Sequence, residues 1–557
     1  MMPIRMGVAL ASLALLWPAS GPAQGSGEIS GIVVNSRTGA PVVGAELALQ
    51  RATDGKLAGQ TLSDPAGHFV FPNLSDGKFA LFARSKGYVP SAYQEHPPGV
   101  STALVTGKSL VTTGLRFELA PLARIIGAVQ EDSGDPVPNA RVSLYRRDAF
   151  SSTGIMAMAG SSSADAMGKF EFARLPEGDY FACTFGTPWY ARPFQPFQRP
   201  VEEVGGNQGR SALDVAYAPT CYPDVTDPEG AEAIRVRAGD VLNLAITVHP
   251  ERAVHIVMEV PRPDEKHPFT PPQFAARVFG IEEQIQATSS FSQLNSGDHP
   301  EATGRMEITG LTAGRYDVTL VGVNGEKNRQ MISDLSPDHP SLDFSVANPL
   351  PDVTGKVVTA SGETLRPGSY ITVRGHHAGY GVMTRLEPDG TFTLPSQRPD
   401  EYDVSVITEQ GSRMAVANMA ATGGQLSGHV LKVANRPVKL AIVVGEAKAA
   451  VNGIATLRGA AAPGVFILLV PGDSRSASEQ LQTNQSDLDG SFNFPHVPAG
   501  TYTVVAIEQG WKLDWARPEV IAPFLVRGVK IAVPADAREI NLRNGVEAQP
   551  ANPATAP

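Results

Sequence analysis

The chain has 557 residues, of which 42% are hydrophobic and 18% are charged, and its formal net charge at pH 7 is -10. This length predicts about four domains of ~150 residues each, and the apolar content excludes disorder of the whole chain. Nucleic acid and an anionic membrane surface are excluded as partners, because both require a basic surface and the chain has no Lys/Arg-rich run.

Residues 1–23 have the pattern of a secretory signal peptide. Arg5 supplies the positive start, residues 8–17 form a short apolar stretch, and the small residues of 21–23 offer a cleavage site. A transmembrane anchor is the alternative, but about ten apolar residues are too few to cross a bilayer. We therefore expect a secreted or periplasmic protein whose mature chain has no membrane span.

One short cassette occurs five times along the chain. Counted from its first glycine, each copy has apolar residues at +2 and +4 and an aromatic residue at +12. A second glycine stands at +10 in the first, second, third and fifth copies. In the fourth copy, Asp400 occupies this position. The first glycines of the copies are Gly67, Gly168, Gly304, Gly390 and Gly490.

The cassette pattern predicts two strands joined as a β-hairpin. Offsets +2 and +4 share one face of the first strand, and +12 and +14 share one face of the second, because side chains alternate along a strand. The Asp-x-x-Gly that opens the best copies predicts a tight turn, in which Asp caps the backbone and Gly adopts a positive φ. A calcium loop is disfavoured, since the copies lack further acidic residues at ligand spacing.

The cassettes divide the chain into five modules, which we number in chain order. Each good copy follows a strand with a Gly-x-Pro turn and precedes a closing strand of alternating residues, such as 115–119 or 242–246. We expect a semi-rigid rod of modules, a short helix at 280–291 and a disordered tail at 546–557. The modules span residues 28–122, 123–252, 253–349, 350–446 and 447–545.

The combined pattern resembles the carboxypeptidase regulatory-like domain family. The residues that carry the resemblance are Gly39 to Ala45, Gly134 to Ala140 and the cassettes, and modules 1 and 2 match best. The resemblance implies a prealbumin (transthyretin-like) fold, a Greek-key sandwich that is grouped with carbohydrate-binding-like folds. We therefore predict an all-β tandem array of five seven-stranded Greek-key β-sandwich modules.

The family name raises the question of peptidase activity, and the sequence argues against it. A zinc carboxypeptidase requires His-x-x-Glu, and none of the eleven histidines is followed by Glu at +3. A nucleophile elbow and a phosphate-binding glycine loop are also missing from the sequence. We expect no enzymatic activity, no cofactor and no metal site.

The two cysteines are expected to form a disulfide. Cys183 stands at +15 of the second cassette, on the face opposite Tyr180 and Ala182, and Cys221 follows a long insertion. A bond between them would attach the insertion of module 2 to the cassette strand, and an exported protein can keep such a bond. The alternative is two free thiols.

Aromatic residues at +21 are the candidate ligand site. Three modules carry one there, and further aromatic residues follow each of them. Flat rings on loops at the end of a sandwich can bind sugar rings or apolar peptide groups, but they can equally pack against the next module. The candidates are Tyr88 and Tyr93 in module 1, Trp189 and Tyr190 in module 2, and Trp511 and Trp515 in module 5.

The function that these features favour is that of a non-catalytic secreted scaffold or binding protein. One alternative is polysaccharide binding through the aromatic loops. Another is an accessory subunit of an exported peptidase, which only the family name implies. The expected partner is a polysaccharide or a cell-envelope protein, and the sequence does not determine the oligomeric state.

Overall fold

The computed structural model consists almost entirely of β-strands, so the all-β prediction is confirmed. In the described residues, three short 3-10 turns (Pro228–Gly230, Phe344–Val346 and Gly510–Lys512) and one helix, α1 (Pro518–Leu525), accompany the strands. The predicted signal peptide, residues 1–23, lies outside the described part. The structure describes residues 27–96, 99–107, 110–147, 156–192, 213–261, 270–293, 303–322, 326–376, 381–409, 414–427, 430–445, 449–472, 481–534 and 536–551.

Module 1 is a sandwich of two sheets. In one sheet β1 lies between β4 and β8, and β8 runs parallel to it. In the other, β2 lies between β3 and β5, and both β6 and β7 pair with β5. The strands are β1 (Gly27–Asn35), β2 (Glu46–Arg51), β3 (Leu57–Leu62), β4 (His68–Leu74), β5 (Gly77–Arg84), β6 (Ser91–Ala92), β7 (Leu104–Thr106) and β8 (Leu115–Leu119).

Module 2 repeats this plan and adds edge strands from its insertion. β9 lies between β12 and the parallel β17, the second sheet has the order β11-β10-β13-β15 with β16 also on β13, and β14 pairs with β18. The strands are β9 (Ala123–Glu131), β10 (Arg141–Arg147), β11 (Met156–Ser163), β12 (Lys169–Leu175), β13 (Gly178–Phe185), β14 (Val215–Tyr217), β15 (Thr220–Cys221), β16 (Ile234–Val236), β17 (Val241–Val248) and β18 (Pro250–Arg252).

Module 3 is the divergent one. Its sheets have the orders β19-β23-β22 and β21-β20-β24-β25-β26. The helix expected at 280–291 is wrong: β21 and β22 occupy this stretch, because Ile281 and Glu283 alternate inward with the period of a strand. The strands are β19 (Val254–Pro261), β20 (Gln273–Val278), β21 (Ile281–Ile285), β22 (Thr288–Gln293), β23 (Thr303–Leu311), β24 (Gly314–Leu320), β25 (Arg329–Leu335) and β26 (Asn348–Pro349).

Module 4 returns to the plan of modules 1 and 2. Its sheets have the orders β30-β27-β35-β32 and β29-β28-β31-β34-β33, with β35 parallel to β27. The strands are β27 (Val353–Thr359), β28 (Tyr370–Gly375), β29 (Gly381–Arg385), β30 (Thr391–Leu394), β31 (Asp400–Ile407), β32 (Ala415–Thr422), β33 (Gln425–Ser427), β34 (Val430–Val433) and β35 (Val438–Gly445).

Module 5 closes its two sheets into one, because β44 pairs with both β36 and β41. Residues 546–549 therefore belong to the sandwich, and the prediction of a disordered tail is wrong for them; residues 552–557 lie outside the described part. The strands are β36 (Ala449–Leu457), β37 (Ala460–Ala461), β38 (Phe466–Pro471), β39 (Gln482–Gln485), β40 (Ser491–Val497), β41 (Gly500–Ile507), β42 (Val529–Val533), β43 (Glu539–Asn541) and β44 (Val546–Gln549).

In the part of the chain that the structure describes, strand numbers differ between modules and depart from the predicted seven. Insertions add edge strands, as β14 and β15 do in module 2. Each module nevertheless has its own cluster of buried apolar residues, and the five clusters lie within residues 29–119, 123–248, 254–347, 353–444 and 449–548.

The cassette is an arch between the two sheets, so the predicted hairpin is wrong. In module 2, β12 belongs to the sheet of β9, whereas β13 belongs to the sheet of β10. Phe170 and Phe172 on β12 therefore face Tyr180 and Ala182 on β13 across the core, and all four are buried. The periodicity correctly predicts which faces are inward, but it does not reveal whether the two strands pair.

A left-handed glycine fixes the turn before the arch in modules 1, 2, 4 and 5. Gly168 has φ 71°, and its carbonyl accepts the N–H of Val129 on β9 at 2.9 Å. A Cβ at this position would lie 2.4 Å from the Val129 carbonyl oxygen, so a side chain cannot be accommodated. Gly67, Gly390 and Gly490 have the same positive φ and the same hydrogen bond to the first strand of their modules.

The burial pattern predicts unequal effects for two adjacent residues of β4. Phe69 is 2% exposed, whereas Val70 is 47% exposed on the opposite face. Phe69→Ala should lower the free energy of unfolding of module 1 by about 3–5 kcal/mol, because it leaves a cavity in the core. Val70→Ala should change it by about 0.5 kcal/mol or less. Hydrogen exchange of module 1 peptides in the full chain measures both, and equal effects would contradict the register.

Candidate functional site

Tyr88 and Tyr93 lie in packed positions of module 1. Tyr93 is buried and its ring centroid is 5.9 Å from that of Phe117 in the core. Tyr88 is half-buried, packs on the same core and forms a β-bridge with Pro121 at the start of module 2. Tyr88 therefore packs between two modules, and Tyr93 packs on the core of module 1.

Trp511 and Trp515 lie in packed positions of module 5. Trp515 is buried beside Phe466, at a centroid distance of 6.0 Å. It belongs to a second apolar cluster, on the outward face of β38 and β41, which α1 covers. Trp511 is half-buried and stacks on His96 of module 1 at 3.7 Å, so its ring joins the first module to the last.

Trp189 and Tyr190 remain at the surface of module 2. Trp189 is 72% exposed, and its ring meets that of Tyr190 edge-on at 5.6 Å. Three of the predicted rings therefore share a cassette offset but not an environment: those at Tyr88 and Trp511 contact a neighbouring module, and that at Trp189 faces solvent. The further aromatic residues Phe194 and Phe197 lie outside the described residues.

Modules 1, 2 and 5 surround a cleft with a volume of 990 Å³. Two of the predicted residues, Tyr93 and Trp511, line it. Its walls otherwise combine charged residues of both signs with apolar residues such as Ala92, Ala120 and Ala238. The lining includes Ser36, Arg37, Glu95, His96, Arg116 and Glu118 from module 1, Glu177 and Arg237 from module 2, and Pro463 and Gly464 from module 5.

One charged residue of the cleft links two of its walls, and others pair along a single strand. Arg37 of module 1 donates to Asp240 of module 2 at 2.7 Å and to the Ala238 carbonyl at 3.1 Å. Arg116 is paired with Glu118 at 2.8 Å on the exposed side of β8. A cleft of this kind presents positively charged hydrogen-bond donors and negatively charged acceptors. It therefore suits a polar ligand or a polar protein surface better than an apolar ligand.

The contact between modules 1 and 5 forms one wall of the cleft and is made largely by the module 5 cassette turn. Lys78 on β5 is 2.5 Å from Asp487, and the Asp487 carboxylate also accepts the N–H of Ala103 at 3.2 Å. The N–H of Leu488 donates to the Ala103 carbonyl at 2.9 Å, and its side chain packs on the module 1 core. Burial raises the pKa of Asp487, although the opposing Lys78 ammonium lowers it.

Neutral groups extend this contact. Gln485 is fully buried, and its amide donates to the Gln94 carbonyl at 2.9 Å and to Thr102 at 2.7 Å. His96 hydrogen-bonds the same amide group at 3.0 Å, and burial lowers the pKa of this histidine. Val100 of module 1 enters the apolar cluster on the outward face of module 5.

The predicted disulfide between Cys183 and Cys221 is present. It lies on the outward face of β13, as expected, but module 3 buries it completely. Phe279 at the β20–β21 turn reaches over this face, and its ring centroid is 5.3 Å from that of Tyr145. The Tyr145 hydroxyl donates to Glu283 of module 3, so the disulfide stands beside a polar contact between modules.

Ion pairs between described residues link module 3 to module 4. Arg398 of module 4 pairs with Glu282 at the edge of module 3, and Lys327 is 2.8 Å from Asp352. With the contacts of modules 1–2, 2–3 and 5–1, and the chain connection between modules 4 and 5, the five modules form a closed circuit. The expected rod is therefore wrong, because the module 5 turn docks on module 1, and a rod would leave that turn in solvent.

Within the described ranges, no group of three or more His, Cys, Asp or Glu side chains is arranged to hold a metal ion. His376, one of two adjacent histidines, is bonded to Asp403 at 3.0 Å, and its neighbour His377 lies outside the described part. In the described part of the chain, no helix has the length and apolar character of a membrane span.

Two stretches of the chain match family models. Residues 28–106 match the model of the carboxypeptidase regulatory-like domain. Module 1 is similar to this domain. The carboxypeptidase regulatory-like match runs from β1 to β7 and includes the first cassette, so the resemblance seen in the sequence is confirmed for this module. Residues 451–522 match the second β-sandwich domain of NOMO1-like subunits of the BOS complex. No curated protein matches the sequence.

Solved structures that match the chain have low sequence identity to it. The minor pilin GBS52 of Streptococcus agalactiae is 10% identical, with 42% of this chain and 98% of the pilin covered and a TM-score of 0.20. BcpA, the major pilin subunit of Bacillus cereus, is 9% identical, with coverage of 75% and 99% and a TM-score of 0.15. The Bacillus anthracis TIE protein is 9% identical, with coverage of 90% and 69% and a TM-score of 0.14. TM-scores this low carry no argument about function.

Sequence reasoning did not identify the residues that join modules 1 and 5. The available signal is local: module 5 opens its cassette with Asp487-Leu488-Asp489, which places a second aspartate and an apolar residue in the turn. An exposed leucine between two aspartates in a turn is unusual unless a partner covers it. The partner of this turn is module 1, where Lys78 is 409 residues from Asp487 in the sequence. No local pattern connects the two residues.

The contact between modules 2 and 3 should weaken as the pH rises. His255 is buried between Asp214, at 2.8 Å, and Glu307, at 3.1 Å, and the hydrogen bond to Asp214 raises its pKa. Protonated His255 therefore stabilises the fold fully below the unfolded value of about 6.5, and this contribution is lost above the raised value. In calorimetry, His255→Gln should lower the Tm more at pH 6 than at pH 8.5.

Asp214→Asn serves as the partner control, because it removes the carboxylate that favours the charged ring. It should reduce the same pH dependence. The pKa of His376 is also raised by its hydrogen bond to an aspartate. Because both variants keep His376, it does not affect the difference in Tm between variant and wild type. Equal Tm losses for His255→Gln at the two pH values would contradict the prediction.

Proposed function

We propose that this chain is a non-catalytic, exported scaffold protein that binds a partner in the cleft between modules 1, 2 and 5. The observation that supports it best is that distant parts of the chain are held in contact by polar groups, of which Gln485 is fully buried. Gln485 and Asp487 contact module 1, and Arg37 attaches module 1 to module 2. These contacts preorganise a cleft of 990 Å³, which reduces the entropy lost when a ligand binds.

The chemistry of the cleft supports binding rather than catalysis. Two of its arginines are paired, Arg116 with Glu118 and Arg37 with Asp240, and the neutral groups of the contact with module 5 hydrogen-bond each other. A polar surface with both charges is complementary to a polar protein surface or a hydroxyl-rich glycan. A cell-envelope protein is the partner that we favour for the cleft.

Export agrees with the features of the chain that depend on compartment. Residues 1–23 have the composition of a signal peptide, and the disulfide between Cys183 and Cys221 persists in an oxidising environment. The disulfide lies at the contact with module 3, so its loss would also loosen an arrangement of modules that the proposed scaffold requires.

Polysaccharide binding at module 2 is the second candidate. Trp189 is 72% exposed, a value that is unusual for a tryptophan, and Tyr190 lies edge-on to it. Paired rings of this kind can stack on the apolar face of a sugar. The shared cassette offset predicted three equivalent sites, but only the site of module 2 has an exposed ring. One chain would therefore bind a polysaccharide through one site, without a gain in affinity from several sites.

The cleft proposal is tested by charge reversal at two neighbouring arginines. Arg237 lines the cleft, whereas Arg235, two residues earlier on β16, pairs with Asp179 outside it. The tagged mature chain is incubated with envelope extract of the native source and cross-linked, and captured proteins are quantified by mass spectrometry. Arg237→Glu should reduce capture of a specific partner about tenfold or more, as expected for loss of one charged contact.

Arg235→Glu should capture the partner as the wild type does. Capture that is the same for all three chains would exclude the cleft as the binding surface. Cleavage of peptides or glycans by the purified wild type, lost in Arg237→Glu, would overturn the non-catalytic assignment.

The second candidate predicts loss of glycan binding without loss of stability. Trp189→Ala should abolish pull-down by insoluble polysaccharides and leave the Tm unchanged, because the ring is exposed. Met167→Ala, another exposed apolar residue of module 2 at 65% exposure, is the matched control and should bind as the wild type does. Failure of the wild type to bind any insoluble glycan would remove this candidate.

A further inference from the structure

One position on the outward face of the second sheet can be compared across all five modules. It is +15 from the first glycine of the cassette, on the strand that leaves the arch, and its side chain points away from the core. In module 1 the residue is Phe82, which is 38% exposed. In the other four modules the residue is buried, at 8% exposure or less: Cys183, Thr319, Ser405 and Val505. Module 1 therefore exposes the largest of the five side chains.

Phe82 lies in a groove of module 1 with a volume of 730 Å³. Two rows of cross-strand neighbours on β3, β2 and β5 form its floor: Gln60, Ala48 and Phe82 in one row, and Leu62, Glu46 and Arg84 in the next. The lining also includes Pro90, Ser91 and Glu95. Because Leu62 is 62% exposed, the groove has two exposed apolar side chains beside charged ones, a combination that is typical of an interaction surface.

Module 2 shows what occupies the equivalent face when it is covered. Phe279, at the β20–β21 turn of module 3, lies over this face, and its ring centroid is 5.2 Å from that of Phe181 on β13. Beside it, Arg141 of β10 donates to Glu283 of module 3 at 2.5 Å. The face of module 2 is therefore covered by a polypeptide turn that supplies an aromatic ring and an acidic side chain.

The charge at the corresponding place in module 1 has the opposite sign. Glu46 is equivalent to Arg141, because each pairs across the sheet with the residue at +17 of its cassette strand, Arg84 or Phe185. Glu46 and Arg84 are exposed and pair with each other at 2.5 Å. Glu95 adds a second carboxylate to the groove. Two carboxylates against one guanidinium favour a positively charged partner residue.

We propose that the groove of module 1 binds a polypeptide loop of a partner protein, which packs an aromatic side chain on Phe82 and places a Lys or Arg beside Glu46. An apolar anchor with charged residues at its rim is the usual anatomy of a protein–protein contact. The groove shares Ser91 and Glu95 with the cleft, so it extends the surface available to a partner. The inference does not require that the cleft is occupied, and its test changes no residue that lines the cleft.

The proposal is tested with a library of phage-displayed loops, each closed by a disulfide, that is selected on the chain lacking residues 1–23. The enriched loops should carry an aromatic residue close to a Lys or Arg. Phe82→Ser should weaken binding of these loops about tenfold or more, as expected for loss of an apolar anchor. Because Phe82 belongs to no core cluster, the Tm of this variant should stay close to that of the wild type.

Two further variants make the selection specific. Val70→Ser changes an exposed apolar residue on the other sheet of module 1, at 47% exposure, and should bind the loops as the wild type does. Glu46→Arg introduces the charge that module 2 has at this place, so a new selection should replace Lys and Arg in the loops by Asp and Glu. Loops that bind Phe82→Ser as well as the wild type, or that keep their basic residue against Glu46→Arg, would overturn the proposal.

Light scattering of the wild type and of Phe82→Ser distinguishes a different occupant. The wild type is expected to have the same oligomeric state as the variant, because the partner is another protein. A wild-type dimer that Phe82→Ser dissociates would assign the groove to a second copy of the chain and overturn the proposal. A selection that enriches no loop on the wild type would also overturn it.

Discussion

The arch that carries two strands across each sandwich is the feature on which the rest of the structure depends. Phe170 and Phe172 from one sheet meet Tyr180 from the other, and the arch between them fixes the distance between the sheets. The glycine before the arch makes this possible. Its left-handed backbone hydrogen-bonds the first strand of the module so closely that a side chain on the glycine would collide with that strand. Four modules use the same turn, and module 3 diverges with a glycine at 304 that packs under Phe291.

Using one face of each strand for the core leaves the outward faces of the sheets free for contacts between modules. In module 2 this face carries the disulfide and Tyr145, and module 3 covers it with Phe279. In module 5 the same face is apolar, and α1 and Trp515 cover it. Desolvation and the nearby Glu283 carboxylate raise the pKa of the buried Tyr145 hydroxyl, which therefore remains a hydrogen-bond donor between the two modules.

Burial of polar groups at the contacts explains why the arrangement of modules is specific. An unsatisfied buried carboxylate or amide costs about 1–3 kcal/mol or more, so Glu283 and Gln485 strongly disfavour arrangements that leave them without their partners. The apolar residues at the same contacts, such as Val100 and Leu488, add area but tolerate other packings. The walls of the cleft between modules 1, 2 and 5 are held by the contacts of Gln485 and Arg37, so a ligand there would depend on all three modules.

The sequence by itself determined the all-β class, the inward faces of the cassette strands, the disulfide and the similarity of module 1 to the carboxypeptidase regulatory-like domain. These features depend on local periodicity, on turn chemistry and on the only cysteine pair that the chain can form. Tertiary structure alone decided that the cassette is an arch, that Trp511 packs while Trp189 is exposed, and that module 5 returns to module 1. Those outcomes depend on contacts such as Lys78 with Asp487, between residues 409 positions apart, and a local pattern holds no information about which surface will meet it.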